Sequence, residues 1–301
     1  MKAVVYCQLQ NNLPECFWAS LKKTREMWAG DIWLICPERE RHYKKLDEYG
    51  VKRVSRETLT SPLIDAYEKN TFFLSMYPTW DGFWDNACRR FPYILALMEQ
   101  QGIEEAFHVE NDVAVYLDIE KMFADCRRVY GEQKIVFTPH EPNHLNCGFT
   151  YCGSQLPLRL FCESVVDYFK RGSDWFKHKY PGDPIINETL FTYVFASESP
   201  LFVGQFPALP TDPEYQNLGF LVDPDGWGRW VDGVRYEPGK PYAADCHYIG
   251  HEIIAGRYDV GFHHTYEKRF VNPVVFDNSQ EMKEYLLATL HFNSKRVEKW
   301  I

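Results

Sequence analysis

The sequence predicts an α/β fold in which helices flank a Rossmann-type, mostly parallel central sheet. Two observations predict this class. Short apolar runs alternate with helical stretches through residues 1–116, whereas Pro and Gly clusters separate short aromatic stretches in residues 117–301. Alternating strands and helices place consecutive strands parallel to one another, with helices on both faces of the sheet. We therefore expect a single domain over residues 1–301, with a mixed, loop-rich C-terminal half.

The strands of the first half are predicted from short apolar runs. Four such runs occupy residues 3–7, 31–36, 51–54 and 106–109. Helices are predicted over residues 14–28 and 40–49, and the second of these ends at Gly50, a favoured C-cap residue.

A strong helical period precedes the fourth strand. Apolar residues recur there at i, i+3, i+4 and i+7, namely Phe91, Ile94, Leu95 and Met98. Gly102 ends this helix, and Pro92 is expected in its first turn or at a kink, because proline removes a backbone donor from a helix interior. In the second half, residues 158–169 are predicted to form a helix.

The composition indicates an ordinary globular core and argues against a nucleic-acid partner. Apolar residues make up 45% of the chain and charged residues 25%, as in soluble globular proteins. The 21 Phe, 19 Tyr and nine Trp suit a core, and they also suit stacking against sugar rings or bases. The net charge of −9 disfavours nucleic-acid binding, which depends on Lys and Arg.

Cysteine spacing and the lack of long apolar runs indicate a reducing, soluble setting. The nine Cys are scattered without a CxxC pair, which favours buried thiols over a zinc ribbon or a disulfide scaffold. The N-terminus shows no signal-peptide pattern, and no run approaches 18 apolar residues. We expect no membrane span and a cytoplasmic location.

The stretch FHVENDVAVY, residues 107–116, interrupts an apolar run with Glu110, Asn111 and Asp112. These residues follow a predicted strand, and in open α/β sheets ligands bind beyond the carboxyl ends of strands. Two neighbouring carboxylates are costly to bury unless a cation compensates, and Mg²⁺ or Mn²⁺ would suit these oxygen ligands. The alternative is an exposed turn, in which Asn and Asp are also favoured.

Four segments together resemble nucleotide-sugar-dependent glycosyltransferases of the GT-A fold. The 110–112 triplet is similar to their DxD-type motif, although Glu occupies the first acidic position. The helix around Arg90 resembles the helix before that motif. NCGFTYCGS, residues 146–154, resembles the segment that helps form the sugar pocket, and LHFNSK, residues 290–295, resembles the C-terminal segment that supplies a His and a Lys. The segments span most of the chain in the family's order.

The resemblance implies a role for each matching residue. Residues 1–116 would bind the nucleotide, and residues 117–301 would bind the sugar and the acceptor. Asp112 and His291 would ligate the divalent cation, Mn²⁺ or Mg²⁺. The residues implied to bind the donor are Tyr6, Cys7, Gln8, Arg90, Glu110, Asn111, Asn146 and Lys295. The first three would receive the base, and Glu110 and Asn111 the ribose or the donor sugar. Lys295 would meet the diphosphate, and Arg90 the diphosphate or the sugar hydroxyls.

Asp183 and Glu188 are the candidates for proton transfer. An inverting reaction needs a carboxylate to deprotonate the acceptor hydroxyl, whereas a retaining reaction need not use one. Asp183 lies in the Gly/Pro loop of YPGDPIINETLF, and Glu188 starts the apolar helix that follows. We rank Asp183 slightly first, since Glu188 has the alternative role of stabilising a helix N-terminus.

Three other features have less specific interpretations. Asp223 and Asp225, beside two Trp residues at 227 and 230, form either an acceptor loop with aromatic platforms or a Pro-Gly turn. The Cys and His residues between 246 and 264 show no ordered set of four zinc ligands, and HEIIA lacks the second His of HExxH. His108 lies on a buried strand and is expected to be a core histidine.

The sequence therefore predicts a metal-dependent glycosyltransferase that moves a sugar from a UDP or GDP sugar to a hydroxyl of a glycan or other acceptor. The chain has no GxGxxG after its first strand, no GxxxxGK[ST] and no GxSxG, which disfavours dinucleotide enzymes, P-loop kinases and serine hydrolases. The alternatives are a glycoside hydrolase acting through two carboxylates, and a non-catalytic carbohydrate-binding protein with the same fold.

Overall fold

A computed structural model describes most of the chain. The described residues are 1–10, 12–39, 43–73, 83–141, 143–181, 186–231, 256–263, 272–279, 283–292 and 297–301. The helices of this part are α1 (Glu15–Met27), α2 (Tyr43–Glu48), α3 (Pro62–Glu68), α4 (Phe83–Gln101), α5 (Ile119–Tyr130), α6 (Gln155–Lys179), α7 (Glu188–Glu198), α8 (Tyr215–Leu218) and α9 (Trp227–Val231).

Strands of the described residues form three sheets. Their bounds are β1 (Lys2–Cys7), β2 (Asp31–Cys36), β3 (Val51–Ser55), β4 (Glu105–Val109), β5 (Val113–Val115), β6 (Ile135–Glu141), β7 (His144–Cys152), β8 (Val203–Gln205), β9 (Tyr258–His263), β10 (Asn272–Asp277), β11 (Lys283–Leu286) and β12 (Thr289–His291). The orders are β3-β2-β1-β4-β7-β6-β8, β11-β10-β9 and β12-β5.

The seven-stranded central sheet is mostly parallel, as the sequence predicted. Strands β1 to β4 pair in parallel, and so do β6 and β8. Only β7 within this sheet runs against its neighbours, since it pairs antiparallel with both β4 and β6. The sheet takes strands from both sides of residue 116, so the two halves of the sequence share one layer.

Helices cover both faces of this sheet because its strands are apolar on both sides. Val5 belongs to a core cluster with residues of α3, α4, α6 and α7. Its neighbours Val4 and Tyr6 belong to a second cluster with residues of α1 and α5. Successive side chains of a strand point to opposite faces, so each strand serves both clusters.

Two helices are longer than the sequence predicted. Helix α4 begins at Phe83, so Pro92 lies inside it and not in its first turn. The earlier start is supported by an i,i+4 ion pair of 2.9 Å between Asp85 and Arg89. Helix α6 reaches Lys179, with a break at Gly172, where φ is 75°.

The C-terminal strand β12 returns to the carboxyl edge of the central sheet. It pairs antiparallel with β5, and the register places His291 opposite Val113. The backbone N–H of Phe292 donates to the carbonyl of Asp112 over 2.9 Å. This pairing brings a residue near the end of the chain beside the 110–112 triplet. No helix among the described residues is both long and apolar enough to cross a lipid bilayer.

Candidate metal centre

A cavity of about 510 Å³ lies beyond the carboxyl ends of β1 and β4. One wall is formed by Cys7 at the end of β1 and by residues 8–10, 12 and 14 of the loop after it. A second wall is formed by residues of α4 between Phe83 and Arg90. The third combines the β6–β7 hairpin with the first residues of α7. The cavity therefore occupies the position at which open α/β sheets bind ligands.

Glu110, Asp112 and His291 form an acidic cluster with one imidazole in this cavity. His291 Nε2 lies 3.4 Å from Glu110 Oε2 and 3.4 Å from Asp112 Oδ2. All three potential ligand atoms lie within 4.8 Å of one another. Asp112 and His291, both predicted metal ligands, are brought together by the β5–β12 pairing across 179 positions of sequence.

The charges of this cluster depend on one another. Burial lowers the pKa of the His291 imidazole, but Asp112, Asp225 and Glu110 outweigh burial and raise that pKa to about 10. Burial raises the pKa of Glu110, but Arg90 and His291 outweigh it and hold that pKa below its usual range. The cluster thus needs a positive charge among its carboxylates, which the protonated imidazole or a cation can supply.

The donor set fits a hard divalent cation. Octahedral Mg²⁺ binds oxygen at about 2.1 Å, which places neighbouring ligand atoms roughly 3 Å apart. The two separations of 3.4 Å around His291 Nε2 are close to that spacing. Two carboxylates and one imidazole also suit Mn²⁺.

Gly148 on β7 closes one side of the cluster. A Cβ at this position would lie 2.6 Å from Glu110 Oε2 and 3.0 Å from His291 Cε1. The same residue's carbonyl accepts a 2.8 Å hydrogen bond from the backbone N–H of Glu110. Any larger residue at this position would therefore have to displace the Glu110 carboxylate and the His291 ring.

Arg90 is the cationic partner of Glu110. Its Nη1 donates a short hydrogen bond to Glu110 Oε1, and its Nη2 donates to Cys147 Sγ over 2.9 Å. Burial lowers the pKa of Arg90, but Glu110 and other neighbours outweigh burial and raise that pKa above its usual value. The guanidinium therefore stays charged. The adjacent Arg89 turns away to Glu68 and Asp85, as expected for neighbours on a helix.

Most of the predicted donor-binding residues line the cavity. Cys7, Gln8, Asn111 and Asn146 all contribute to its walls. Asn111 Nδ2 donates to Gln8 Oε1 over 2.6 Å, which joins the 110–112 triplet to the loop after β1. Asn146 Oδ1 accepts a 2.7 Å hydrogen bond from the backbone N–H of Gly148. Lys295 lies outside the described residues.

The prediction that Tyr6 receives the base needs correction. Tyr6 is fully buried in the core between the sheet and α1, and it is not among the residues that line the cavity. Its hydroxyl shares hydrogen bonds with Ser20 and Thr24 at 2.9 and 2.7 Å. The alternation of β1 explains the difference, because Cys7 points to the opposite face from Tyr6.

Glu188 lies at the start of α7 and lines the cavity. Asn187 caps the helix by accepting a 3.1 Å hydrogen bond from the backbone N–H of Leu190. Glu188 Oε2 is buried, and none of the described residues is its hydrogen-bond partner. Burial raises the pKa of Glu188 to about 7, against the opposing effect of Arg90. Asp183, the other candidate base, lies outside the described residues.

The segment predicted as either an acceptor loop or a Pro-Gly turn lies partly in the core and partly at the cavity. Trp227 is fully buried and donates through Nε1 to the Ala208 carbonyl, so it is a core residue and not an exposed platform. Asp225 lines the cavity, with Oδ1 4.0 Å from His291 Nδ1. Sequence reasoning missed this contact and that of Gly148, since neither residue type signals a partner so distant in sequence.

Two other histidines of the described residues, His108 and His263, have partners outside the cluster. His108 is a core histidine, as expected: its Nδ1 lies 3.0 Å from the Val5 carbonyl, and burial lowers its pKa to about 3. His263 pairs with Glu284 over 3.0 Å. The other members of the rejected zinc cluster, Cys246, His247, His251 and His264, lie outside the described residues.

Neither a protein-family model nor a curated protein matches the sequence. The structure is similar to solved glycosyltransferases. Mouse xyloside xylosyltransferase 1 in its apo form superposes with a TM-score of 0.49 at 12% identity, over 72% of this chain and 91% of that one. The galactosyltransferase LgtC with donor and acceptor sugar analogues has a TM-score of 0.41 at 9% identity, over 72% and 82%. The PaToxG glycosyltransferase has 0.39 at 10%, over 66% and 69%. Likeness at this level does not by itself assign a function.

Proposed function

We propose that this chain is a metal-dependent glycosyltransferase. It transfers a sugar from a UDP or GDP sugar to a hydroxyl group of a glycan or other acceptor. The observation that carries the proposal is the convergence of Glu110, Asp112 and His291 with Arg90 in one cavity at the carboxyl edge of the sheet. Such a site suits a diphosphate held through a cation, since the chain lacks a glycine-rich phosphate loop.

Asp112 and His291 would hold the divalent cation, Mn²⁺ or Mg²⁺, and the Oε2 atom of Glu110 is close enough to join them. When bound, such an ion neutralises negative charge on the diphosphate leaving group. Arg90 would add a fixed, buried positive charge on the same side of the cavity. The predicted role of Lys295 is to meet the diphosphate as a second cation.

The loop after β1 would bind the nucleoside. Cys7 and Gln8 line that wall, and the Gln8–Asn111 hydrogen bond couples it to the metal side. Glu110 and Asn146 offer polar groups to the ribose or the donor sugar. The cavity of about 510 Å³ falls within the usual range for small-ligand sites, which is roughly 300–1,000 Å³.

Proton transfer from the acceptor is assigned to Asp183 or Glu188. Of the two, Glu188 lines the cavity with a carboxylate oxygen that no described residue engages. The pKa of about 7 lets this carboxyl accept a proton near neutral pH, which is the condition for an efficient general base. A retaining reaction would leave Glu188 to contact substrate instead.

A thermal-shift screen of UDP and GDP sugars, with and without Mn²⁺, tests the proposal. One sugar nucleotide should raise the melting temperature only when Mn²⁺ is present. At a hundredfold excess over its Kd, this nucleotide should add about 2.7 kcal/mol to the free energy of unfolding. Release of the nucleoside diphosphate should then follow addition of an acceptor.

Asp112→Asn should abolish both responses. Asp212→Asn is the matched control, because Asp212 is also a buried carboxylate but does not line the cavity. Glycoside hydrolysis without nucleotide or metal would contradict the proposal and favour a hydrolase. A failure of every sugar nucleotide to bind would favour a non-catalytic role.

A further inference from the structure

Residues 223–229, here called the 223–229 segment, pack directly around His291. The carboxylate of Asp223 is buried and accepts hydrogen bonds from the backbone N–H groups of Gly226, Trp227 and Gly228, at 2.8, 2.9 and 2.8 Å. It also accepts one from the backbone N–H of His291 at 2.8 Å. One side chain therefore begins helix α9 and fixes the backbone of a predicted metal ligand.

Gly228 brings the first turn of α9 against strand β12. A Cβ at this position would lie 2.2 Å from the carbonyl oxygen of His291 and 3.0 Å from Asp223 Oδ2. Backbone thus meets backbone here, and any larger residue would push His291 away from its place. The contact restricts the main chain of His291 independently of the Asp223 hydrogen bond.

Asp225 faces the ring of His291 from the same segment. Its Oδ1 lies 4.0 Å from His291 Nδ1. Arg229 holds this carboxylate in a fork, with Nε 3.2 Å from Oδ1 and Nη2 2.6 Å from Oδ2. Asp225 has φ at 80°, an uncommon backbone conformation for a residue other than glycine. The uncommon backbone conformation therefore occurs at the residue whose carboxylate faces the imidazole of His291.

The two ring nitrogens of His291 have different surroundings. Nε2 faces Asp112 and Glu110 at 3.4 Å each, which is the side on which a cation would bind. Nδ1 is buried and has no hydrogen-bond partner in the described part of the chain. A cation on Nε2 would leave the proton on Nδ1. The Asp225 carboxylate, 4.0 Å away, is too distant for a direct hydrogen bond, but its charge favours that tautomer and that ring orientation.

We propose that the 223–229 segment is a positioning element for His291. Asp223 and Gly228 hold its backbone, and Asp225, held by Arg229, keeps Nε2 directed at the cation. This inference rests on the proposed metal site. It gives the segment a task in metal binding, whereas the sequence left open an acceptor loop or a Pro-Gly turn.

Titration of the metal-free protein with Mn²⁺ in the absence of nucleotide tests this role. Asp225→Asn keeps the size of the side chain, and Asn tolerates a left-handed backbone, so the variant removes chiefly the charge. Its Kd for Mn²⁺ should rise roughly 10- to 100-fold, the usual effect of losing a group that orients a metal ligand. Its melting temperature in EDTA should fall, because Arg229 loses its buried anionic partner. The control variant below separates that loss of stability from the change in Kd.

Asp212→Asn is the control for a purely structural effect. Asp212 is buried and accepts hydrogen bonds from the backbone N–H groups of Ala208 and Leu209, both at 2.8 Å, with no contact to His291 among them. This variant should lower the melting temperature and leave the Mn²⁺ Kd unchanged. If Asp225→Asn does not fold, Arg229→Gln replaces it, and its Kd should rise by several-fold because the Asp225 carboxylate loses its fork.

The outcomes separate this inference from the proposed function. Wild-type binding that Asp112→Asn abolishes and Asp225→Asn leaves unchanged would overturn the positioning role and keep the metal site. The same holds for an unchanged Kd in Arg229→Gln, if that variant is the one that folds. A wild-type protein that does not bind Mn²⁺ would overturn both.

Discussion

Gly148→Ala tests how closely β7 is fitted to the acidic cluster. The new Cβ would lie 2.6 Å from Glu110 Oε2, whereas ordinary van der Waals contact begins at 3.4 Å. The carboxylate must therefore move by about 0.8 Å, which is several times the roughly 0.2 Å within which coordination distances are held. His291 Cε1, at 3.0 Å from the same position, must also give way.

We expect the Kd for Mn²⁺ to rise about tenfold or more in Gly148→Ala, comparable to losing an orienting contact. Stability should fall by about 1–3 kcal/mol, the usual cost of adding a methyl group to a packed site. Isothermal titration gives the Kd, and urea unfolding in EDTA gives the stability.

Gly204→Ala is the matched control for this experiment. Gly204 lies on strand β8, at the edge of the sheet. A Cβ on this residue would lie 2.7 Å from Tyr130 Cδ1. This variant should lose a similar amount of stability with no change in the Mn²⁺ Kd. Equal Mn²⁺ affinity in the wild type and in Gly148→Ala would refute the close fit of β7 to the cluster.

Two further predictions concern the buried charges around the cluster. Because burial raises the pKa of Glu188 from 4.5 to about 7, its carboxyl stabilises the fold fully below pH 4.5, and this stability is lost as the pH rises through about 7. The loss amounts to about 3 kcal/mol of unfolding free energy, and the Glu188→Gln variant should not show this loss. Urea unfolding at pH 5 and pH 8 measures it, and the same pH dependence in the wild type and in Glu188→Gln would contradict the prediction. Arg90→Met should cost about 3 kcal/mol of unfolding free energy, the lower end for a broken buried pair, because the Glu110 side chain is 22% exposed. Adding Glu110→Gln should restore part of that loss, and a cost below about 1 kcal/mol for Arg90→Met would show that Glu110 does not depend on it.

Local patterns predicted the elements that build the cavity. The apolar runs around Val5 and Phe107 predicted parallel strands, and the structure confirms them as β1 and β4. The NETLF sequence predicted that Glu188 starts a helix, and Asn187 caps that helix. Strands and helix starts are determined by residues that are close together in the sequence, so they can be predicted from local patterns.

The face on which each side chain lies was harder to predict. An apolar run such as AVVYC is buried on both sides, so its composition does not indicate which residue faces the cavity. The resemblance assigned Tyr6, Cys7 and Gln8 together to the base, and of these Cys7 and Gln8 line that wall. Pro92 was expected in the first turn of its helix or at a kink, and it lies inside α4, which begins at Phe83.

The contacts that complete the cluster depend on distant parts of the chain. Gly148 meets Glu110 across 38 positions, and Asp223 meets His291 across 68 positions. Nothing in DPDGWG indicates that its carboxylates face an imidazole. Only the resemblance joined Asp112 to His291 before their strand pairing was known.

Anomalous diffraction at the manganese edge, from crystals grown with MnCl₂ and UDP or GDP, tests the central claim most directly. The account predicts one strong peak within bonding distance of Asp112 Oδ2 and His291 Nε2, with the diphosphate on its open side. A peak at another place, or a nucleotide bound in this cavity with no manganese beside those two atoms, would contradict it.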